Sequence, residues 1–343
     1  MESSGREHAC VTALLERMHE GVPEELRLTR RPLRGGLEAV GVARVAARYR
    51  DGRGRPRAFA LIVKHLAGTA AREALVYEQL VAPHAADLAP RLLTSDRPAG
   101  GGAVLYLEAL RPVRSWPWRE TRAALGVLRQ AARLHTTAPS DGAMALLAGW
   151  DYEAELQVNA ERTLEQLDRA RRLSGLPVFR AGVRWTRRLV AALPRMRRQL
   201  LEFGPLGRTA IHGDLHPGNA VVRRRRGTNE AVLIDWGRAR IGSPLEDVSS
   251  WLQSLGAWEP EALRRHDTLF TGYLSARGLD RRLGSELRAA YWLAGASNAL
   301  SGALLHHLTV MQDGRVSGGR RVSAARSARG WVRVLRRADA FWS

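Results

Sequence analysis

Two apolar runs that each deliver an aspartate into a turn constrain this chain more than any other feature. The first, Ile211-His212-Gly213-Asp214-Leu215-His216-Pro217-Gly218-Asn219, carries His-x-Asp with an asparagine five residues after the aspartate, and the second, Val232-Leu233-Ile234-Asp235-Trp236, follows closely. Either aspartate alone would pass for a buried carboxylate satisfying turn amides. Both at this spacing form the set that phosphoryl transfer uses. One carboxylate orients an attacking hydroxyl and accepts its proton, while an amide oxygen and a second carboxylate hold Mg²⁺ against nucleotide phosphates. On that reading Asp214 is the base, and Asn219 and Asp235 are the metal pair.

Two rival readings of the same region are weaker. His212 and His216 stand four apart, as zinc-binding histidines on a helix do, but Gly213, Pro217 and Gly218 oppose a helix here. The formal charge of +20 invites nucleic-acid binding. The 54 basic residues, all but one of them arginine, are spread along the chain rather than gathered in a patch, which argues against a specific nucleic-acid site. The densest run, Arg223 to Arg226, lies between the two aspartate-bearing segments and reads as a solvated hairpin tip. A single cysteine, Cys10, excludes an internal disulfide and a thiolate cluster. With no apolar run of spanning length and no signal-like N-terminus, a soluble, cytoplasmic protein is expected. Nothing in the sequence sets an oligomeric state.

The first third alternates as strands do. Val11, Leu14, Leu15 and Met18 mark an opening helix over 6–20, followed by strands over 26–33, 39–49 and 59–66, with paired glycines, Gly35 and Gly36, at the first bend. The strand Ala60-Leu61-Ile62-Val63-Lys64 carries the only lysine of the chain. On the face shared with Ala60 and Ile62, Lys64 points into whatever that face covers, and a buried ammonium needs a partner; a lysine reaching water from an edge strand is the plainer alternative. The helix expected over 69–81 offers Glu73 as that partner, with Glu78 as second choice. Strands at 91–94 and 103–107 complete a five-stranded sheet, and the change of texture at Glu108-Ala109-Leu110-Arg111-Pro112 places a domain boundary near Leu110, giving lobes of 1–110 and 111–343.

His212-x-Asp214-x-x-x-x-Asn219 followed by Ile234-Asp235-Trp236 resembles the aminoglycoside phosphotransferase and choline kinase superfamily, the small-molecule relatives of protein kinases. The resemblance runs from Arg34 to about Trp251. It implies an α+β, protein-kinase-like fold with a small antiparallel-sheet lobe and a large, mostly helical lobe. It implies ATP as phosphoryl donor, with GTP as an alternative, and Mg²⁺. Lys64, paired with Glu73, would contact the α- and β-phosphates, while Gly35 and Gly36 would let backbone amides approach phosphate. The backbone of Glu108, Ala109 and Leu110 would bind adenine, and His212 would brace the catalytic loop. The family also implies that an insertion between 151 and 202 helps to form the acceptor pocket.

The second part reads as helical: 119–135, ending in Ala132-Arg133-Leu134-His135 with His135 structural, then 151–173, and 178–202 interrupted by Pro194. Glu161, Glu165 and Asp168 share one helical face, which suits either a cationic acceptor or a solvated surface. Ser243, Pro244 and Glu246 spell a helix start with a capping box. That leaves too little chain after Trp236 for the activation segment of a protein kinase, so the acceptor is expected to be a small molecule. The resemblance implies that Asp247 is a structural acid bracing the catalytic loop. Helices follow over 259–277 and 283–311, where adjacent His306 and His307 diverge too far to share a metal. The Ser-, Gly- and Arg-rich 313–330 reads as mobile, and 331–342 as a basic amphipathic segment docked on the large lobe, with contact to an anionic membrane or nucleic acid as the lesser alternative. A catalytically silent nucleotide-binding module of the same fold would lack Lys64, Asp214, Asn219 or Asp235, and none is missing.

Overall fold

Period-two alternation builds the first lobe. The computed structural model describes residues 2–19, 21–33, 39–99, 101–174, 176–225, 227–279 and 284–342. Gly35 and Gly36 lie outside the described residues. After helix α1 (Glu2–His19) the chain runs through β1 (Glu24–Leu33), β2 (Ala39–Arg50) and β3 (Pro56–Leu66). A helical stretch then combines a 3₁₀ turn at Gly68–Ala71, α2 (Arg72–Val76), a π turn at Tyr77–Val81 and α3 (Ala82–His84), before β4 (Leu92–Asp96) and β5 (Ala103–Glu108). These strands form one antiparallel sheet in the order β1-β2-β3-β5-β4. Val45, Ala47, Tyr49, Leu61, Val63, Val104 and Tyr106 bury with Val11 and Leu15 of α1. The alternate positions, Leu66, Leu105 and Leu107, bury instead with Tyr77 and Leu80. Lys64 pairs with Leu105 across the ladder and so belongs to this second face.

The remaining elements make the larger, mainly helical lobe: α4 (Thr121–Thr136), α5 (Asp141–Ala148), α6 (Tyr152–Ser174), α7 (Pro177–Leu201), β6 (Thr209–Ile211), β7 (Ala220–Arg225), β8 (Thr228–Leu233), β9 (Arg240–Gly242), α8 (Pro244–Trp258), α9 (His266–Ala276), α10 (Ser285–Asn298), α11 (Leu304–Gln312) and α12 (Gly318–Trp342). Two short antiparallel pairs, β6 with β9 and β7 with β8, carry the segments that bear the aspartates. One apolar core runs from Leu105 and Leu107 through Tyr77 to Trp236, Trp251 and Tyr273, so it is shared between the sheet and α4, α8 and α9. A second core binds α6, α7, α10, α11 and α12 together. Among the described residues no helix is long and apolar enough to cross a membrane.

Three expectations from the sequence are corrected, and one helix is added. Pro194 does not interrupt α7, which runs unbroken past it. Pro194 is exposed, so water can satisfy the carbonyl that its missing N–H leaves without a donor, while Leu189, Leu193, Met196 and Leu200 hold the helix from its buried side. The supposedly mobile tail is helical from Gly318 onward, because Ala324, Ala328, Trp331 and Leu335 form a buried stripe at helical spacing. Helix α5 had no counterpart in the sequence reading, although Ser140 caps it by accepting from the Ala143 amide at 3.4 Å. Arg223 is no solvated tip: it is buried and donates to Glu108 (3.2 Å) and Glu230 (3.3 Å), whereas Arg224 and Arg225 are exposed.

Candidate active site

Strand β6 ends at Ile211 and the chain turns sharply. The turn is held by Asp247 at the start of α8, whose carboxylate accepts from the His212 and Gly213 amides, both at 2.8 Å. Helix α8 starts where it does because Ser243 and Glu246 form the capping box. His135 closes the far side of Asp247, with Nε2 at 3.0 Å from the carboxylate and Nδ1 at 2.8 Å from the Tyr273 hydroxyl. Burial alone would raise the Asp247 carboxyl, but the bonds from His135 and the His212 amide hold it below the usual range. Burial pushes His135 and His212 below the ordinary imidazole range. A neutral His212 donates through Nε2 to the Ile234 carbonyl at 3.0 Å, tying the first aspartate's loop to the second aspartate's strand. With that nitrogen used and no helix between His212 and His216, the zinc arrangement does not form. Among the described residues no cluster of three or more His, Cys, Asp or Glu could hold a metal.

Gly213 has φ of +79°, and a Cβ there would run into the Arg238 carbonyl and the Arg240 guanidinium. Arg240, buried, donates to the Gly213 carbonyl at 3.1 Å and to Glu246 at 3.1 Å, while Arg197 reaches the same Glu246 at 2.6 Å. The capping-box glutamate thus also anchors the loop, a role hidden in the sequence because Arg240 and Arg197 look like two more arginines among many. Gly213→Ala is expected to lower stability by about 2 kcal/mol or more, through a strained φ and displaced arginine. Chemical denaturation would measure it, and an unchanged midpoint would refute the close approach.

Asp214 projects from this loop with its side chain about two-fifths exposed. Asn219 donates through Nδ2 to the Asp214 carboxylate at 2.8 Å and to its carbonyl at 3.0 Å. Asn219 is nearly buried, and its own carbonyl accepts from the Ile234 amide at 2.9 Å. Strand β8 then delivers Asp235 in a left-handed conformation, φ 66° and ψ 68°, which an aspartate tolerates better than most residues but still at a cost. Lys64 Nζ lies 2.7 Å from Asp235 Oδ1 and 2.5 Å from Glu73 Oε2. Glu73, not Glu78, is therefore the partner of Lys64; Glu78 turns outward to Ser95 and Arg97. Burial alone would lower the Lys64 ammonium, but the carboxylates of Glu73 and Asp235 outweigh it and hold the pKa above the ordinary value. Burial raises the Glu73 carboxyl against the pull of Lys64.

The sequence-selected residues Lys64, Glu73, His212, Asp214, Asn219 and Asp235 thus meet in one place. Glu108 ends β5, the strand that pairs with Lys64, and Ala109 and Leu110 follow it directly. The Glu108 amide donates to the Arg91 carbonyl at 2.9 Å, and its carboxylate faces Arg223 and the Arg91 amide. His216, which sequence reasoning left without a role, accepts from the Gly218 amide at 3.0 Å and stands 3.7 Å from the Asp214 carboxylate. A cleft of about 510 Å³ opens beside Asp214, lined by α8, by residues 298–307 and by α12. Helices α6 and α7, the expected insertion, do not line it. Glu161 and Glu165 are exposed and Asp168 pairs with Arg171 and Arg172, so the acidic face of α6 is a surface feature.

Five histidines are held below the usual range by burial: His65, His135, His212, His306 and His307, the last to about 4. In the unfolded chain each takes a proton near pH 6.5. Stability should therefore be level above that pH and fall as pH drops toward the folded values, because the unfolded state binds more protons, by about 1.4 kcal/mol per pH unit for each fully titrating imidazole. Urea midpoints between pH 7.5 and 5, as approximate limits, would check it. A midpoint that rises on acidification would show that these rings are not held neutral.

A small antiparallel sheet with a large helical lobe, a lysine–glutamate pair bound to one loop aspartate and a second loop aspartate held by Asn219 define a protein-kinase-like fold. The sequence matches the phosphotransferase enzyme family, APH, over residues 15–284, and the chain belongs to that family. No curated protein gives a significant match. Among solved structures, the chain is similar to the GDP complex of an aminoglycoside 2'-phosphotransferase-IIIa variant (15% identity, 93% of this chain and 97% of that one, TM-score 0.54). It is similar also to the choline kinase LicA from Streptococcus pneumoniae (14% identity, 95% and 99%, TM-score 0.53). A third is the aminoglycoside phosphotransferase APH(3'')-Id from Streptomyces rimosus with ADP and streptomycin (15% identity, 79% and 92%, TM-score 0.51). At these identities the likeness is one of fold.

Proposed function

We propose that the protein transfers the γ-phosphoryl group of ATP, or of GTP, to a hydroxyl of a small molecule. The observation that carries this is that Asp214, Asn219 and Asp235 line one cleft, with Lys64, from a distant part of the sequence, bound to Asp235. Asp214 is the proton acceptor: it is exposed to the cleft, and Asn219 fixes its carboxylate. The acceptor oxygen forms a bond to the γ-phosphorus as the bond from that phosphorus to the β–γ bridging oxygen breaks. The electron pair of that bond leaves on the nucleoside diphosphate, and the hydroxyl proton passes to Asp214.

Asn219 spends its Nδ2 on Asp214 and keeps Oδ1 for other partners, and Asp235 supplies a carboxylate about one-third exposed. Two hard oxygen donors suit Mg²⁺, which keeps several waters and takes the rest of its ligands from phosphate. When bound it would neutralise charge on the phosphate oxygens. Lys64, anchored by Glu73, is placed to exchange its bond to Asp235 for nucleotide phosphate. The backbone of Glu108, Ala109 and Leu110 is the proposed adenine contact.

Titration of the purified protein with nucleotide tests the metal assignment. Asp235→Ala is expected to weaken Mg-nucleotide binding by about tenfold or more, the loss of one charged ligand. Equal affinity with and without Mg²⁺ would overturn it. Nucleotide binding without turnover over a panel of hydroxyl compounds would favour the alternative, a catalytically silent module.

A further inference from the structure

The cleft beside Asp214 is poor in negative charge. Besides Asp214 and Asp235, no carboxylate lines it among the described residues. Its other titratable side chains are Arg238, His216, His306 and His307. The acids of α6 are committed elsewhere: Glu153 faces Arg197, and Glu155 neutralises Arg238. Burial keeps His307 neutral, at about 4, and lowers His306 as well. The cleft is rich in flat rings instead. Trp258, at the end of α8, is 49% exposed although it contacts Trp116 at 5.7 Å and His216 at 5.8 Å. Trp331 reaches the same cleft from α12, and the rings of His306 and His307 stand 5.3 Å apart beside it.

These surroundings discriminate by charge. An ammonium entering the cleft loses its water and finds only two carboxylates, one held by Asn219 and the other by Lys64. Attraction to a tryptophan face compensates such a loss only in part. A second or third ammonium would find nothing. An uncharged flat molecule loses little on entering and gains stacking area on the exposed Trp258, with the mostly buried Trp331 forming part of the apolar wall, while Ser250, Ser254 and Ser301 offer hydroxyls for its polar edge.

We propose that the acceptor is an uncharged alcohol with a flat aromatic or fused-ring body, rather than a polyamine or a quaternary amino alcohol. This rests on the phosphoryl-transfer reading, with the bond exchange written above and only the acceptor's class added. The side chains bearing on its charge are Asp214, Asp235, Arg238, His216, His306 and His307, with Arg320 close enough to His306 to disfavour its protonation.

The test uses the full chain with Mg-ADP present and a matched pair of probes, a naphthyl ethanol and the same compound bearing a trimethylammonium group, each titrated by calorimetry. The neutral compound is expected to bind at least about tenfold more tightly. Ser254→Asp, which adds a carboxylate to the cleft, is expected to reduce or reverse that preference. Trp258→Ala should weaken the neutral probe by about tenfold and Trp258→Phe should restore most of it. Tighter binding of the cation, binding of neither probe, or indifference to Trp258→Ala would each overturn the inference. Slow hydrolysis of Mg-ATP without acceptor, measured on the unsubstituted chain, separates the two levels. If hydrolysis is absent and phosphoryl transfer to every hydroxyl compound offered is absent too, the catalytic reading fails; if hydrolysis is present while the cation binds better, only the acceptor class fails.

Discussion

Asp214→Asn is expected to leave Mg-nucleotide affinity nearly unchanged and to lower kcat by roughly 10² to 10⁴. The substitution is nearly isosteric, and an amide oxygen can still accept from Asn219 Nδ2, now 2.8 Å from the carboxylate. The loop around it has its own supports, in the two amides given to Asp247 and the Arg240 bond to the Gly213 carbonyl. What is lost is a group that accepts a proton only as the acceptor oxygen attacks, so ground-state binding should not register the change. Single-turnover kinetics beside nucleotide titration would separate the two. Full turnover in the variant would remove Asp214 as base, and a parallel loss of nucleotide affinity would recast it as a binding group.

Parts of this arrangement were legible in the sequence because they depend on local chemistry. Alternation gives strands, and strand parity puts Lys64 on the opposite face from Leu61 and Val63, which bury under α1. A Ser-Pro-x-Glu run fixes the start of α8 and hence the position of Asp247. Glu73 is one turn into a helix that begins soon after the lysine strand, so few partners compete with it.

Other parts depend on long-range packing that no local pattern reports. Arg223 sits in a run of similar residues and is singled out only because β5 brings Glu108 beside it. Arg240 and Arg197 converge on Glu246 from different elements. Helix α12 hides its buried stripe in alanines, which carry too little hydrophobic signal against neighbouring Arg, Ser and Gly. The same helix lines the cleft beside Asp214 with Trp331, so that wall of the site was the least readable. The resemblance had implied that the 151–202 insertion helps to form the acceptor pocket. In this chain α6 and α7 pack with α10, α11 and α12 in the second core, and it is α12 and the residues between α10 and α11 that face Asp214.

Lys64→Arg is expected to preserve the fold and to reduce kcat/KM by roughly 10² or more, equivalent to about 3 kcal/mol of transition-state stabilisation. Lys64 is the only lysine in a chain where arginine supplies every other strong base, so a requirement for positive charge alone would be met by arginine here too. The geometry gives a physical reason for the exception. A compact ammonium lies 2.5 Å from Glu73 and 2.7 Å from Asp235, with only 8% of the residue exposed. A planar guanidinium is larger, spreads its charge over a fork, and cannot sit between two carboxylates at those distances without displacing one of them. If it displaces Asp235, metal binding suffers; if it displaces Glu73, the anchor of the lysine and the bond from the Trp236 amide are lost together. Circular dichroism should show an intact fold, because the hydrophobic faces of β3 are untouched. Near-normal kcat/KM with that intact fold would show that Lys64 is not the phosphate-binding lysine, and would separate the sheet lobe from the chemistry proposed at Asp214 and Asp235.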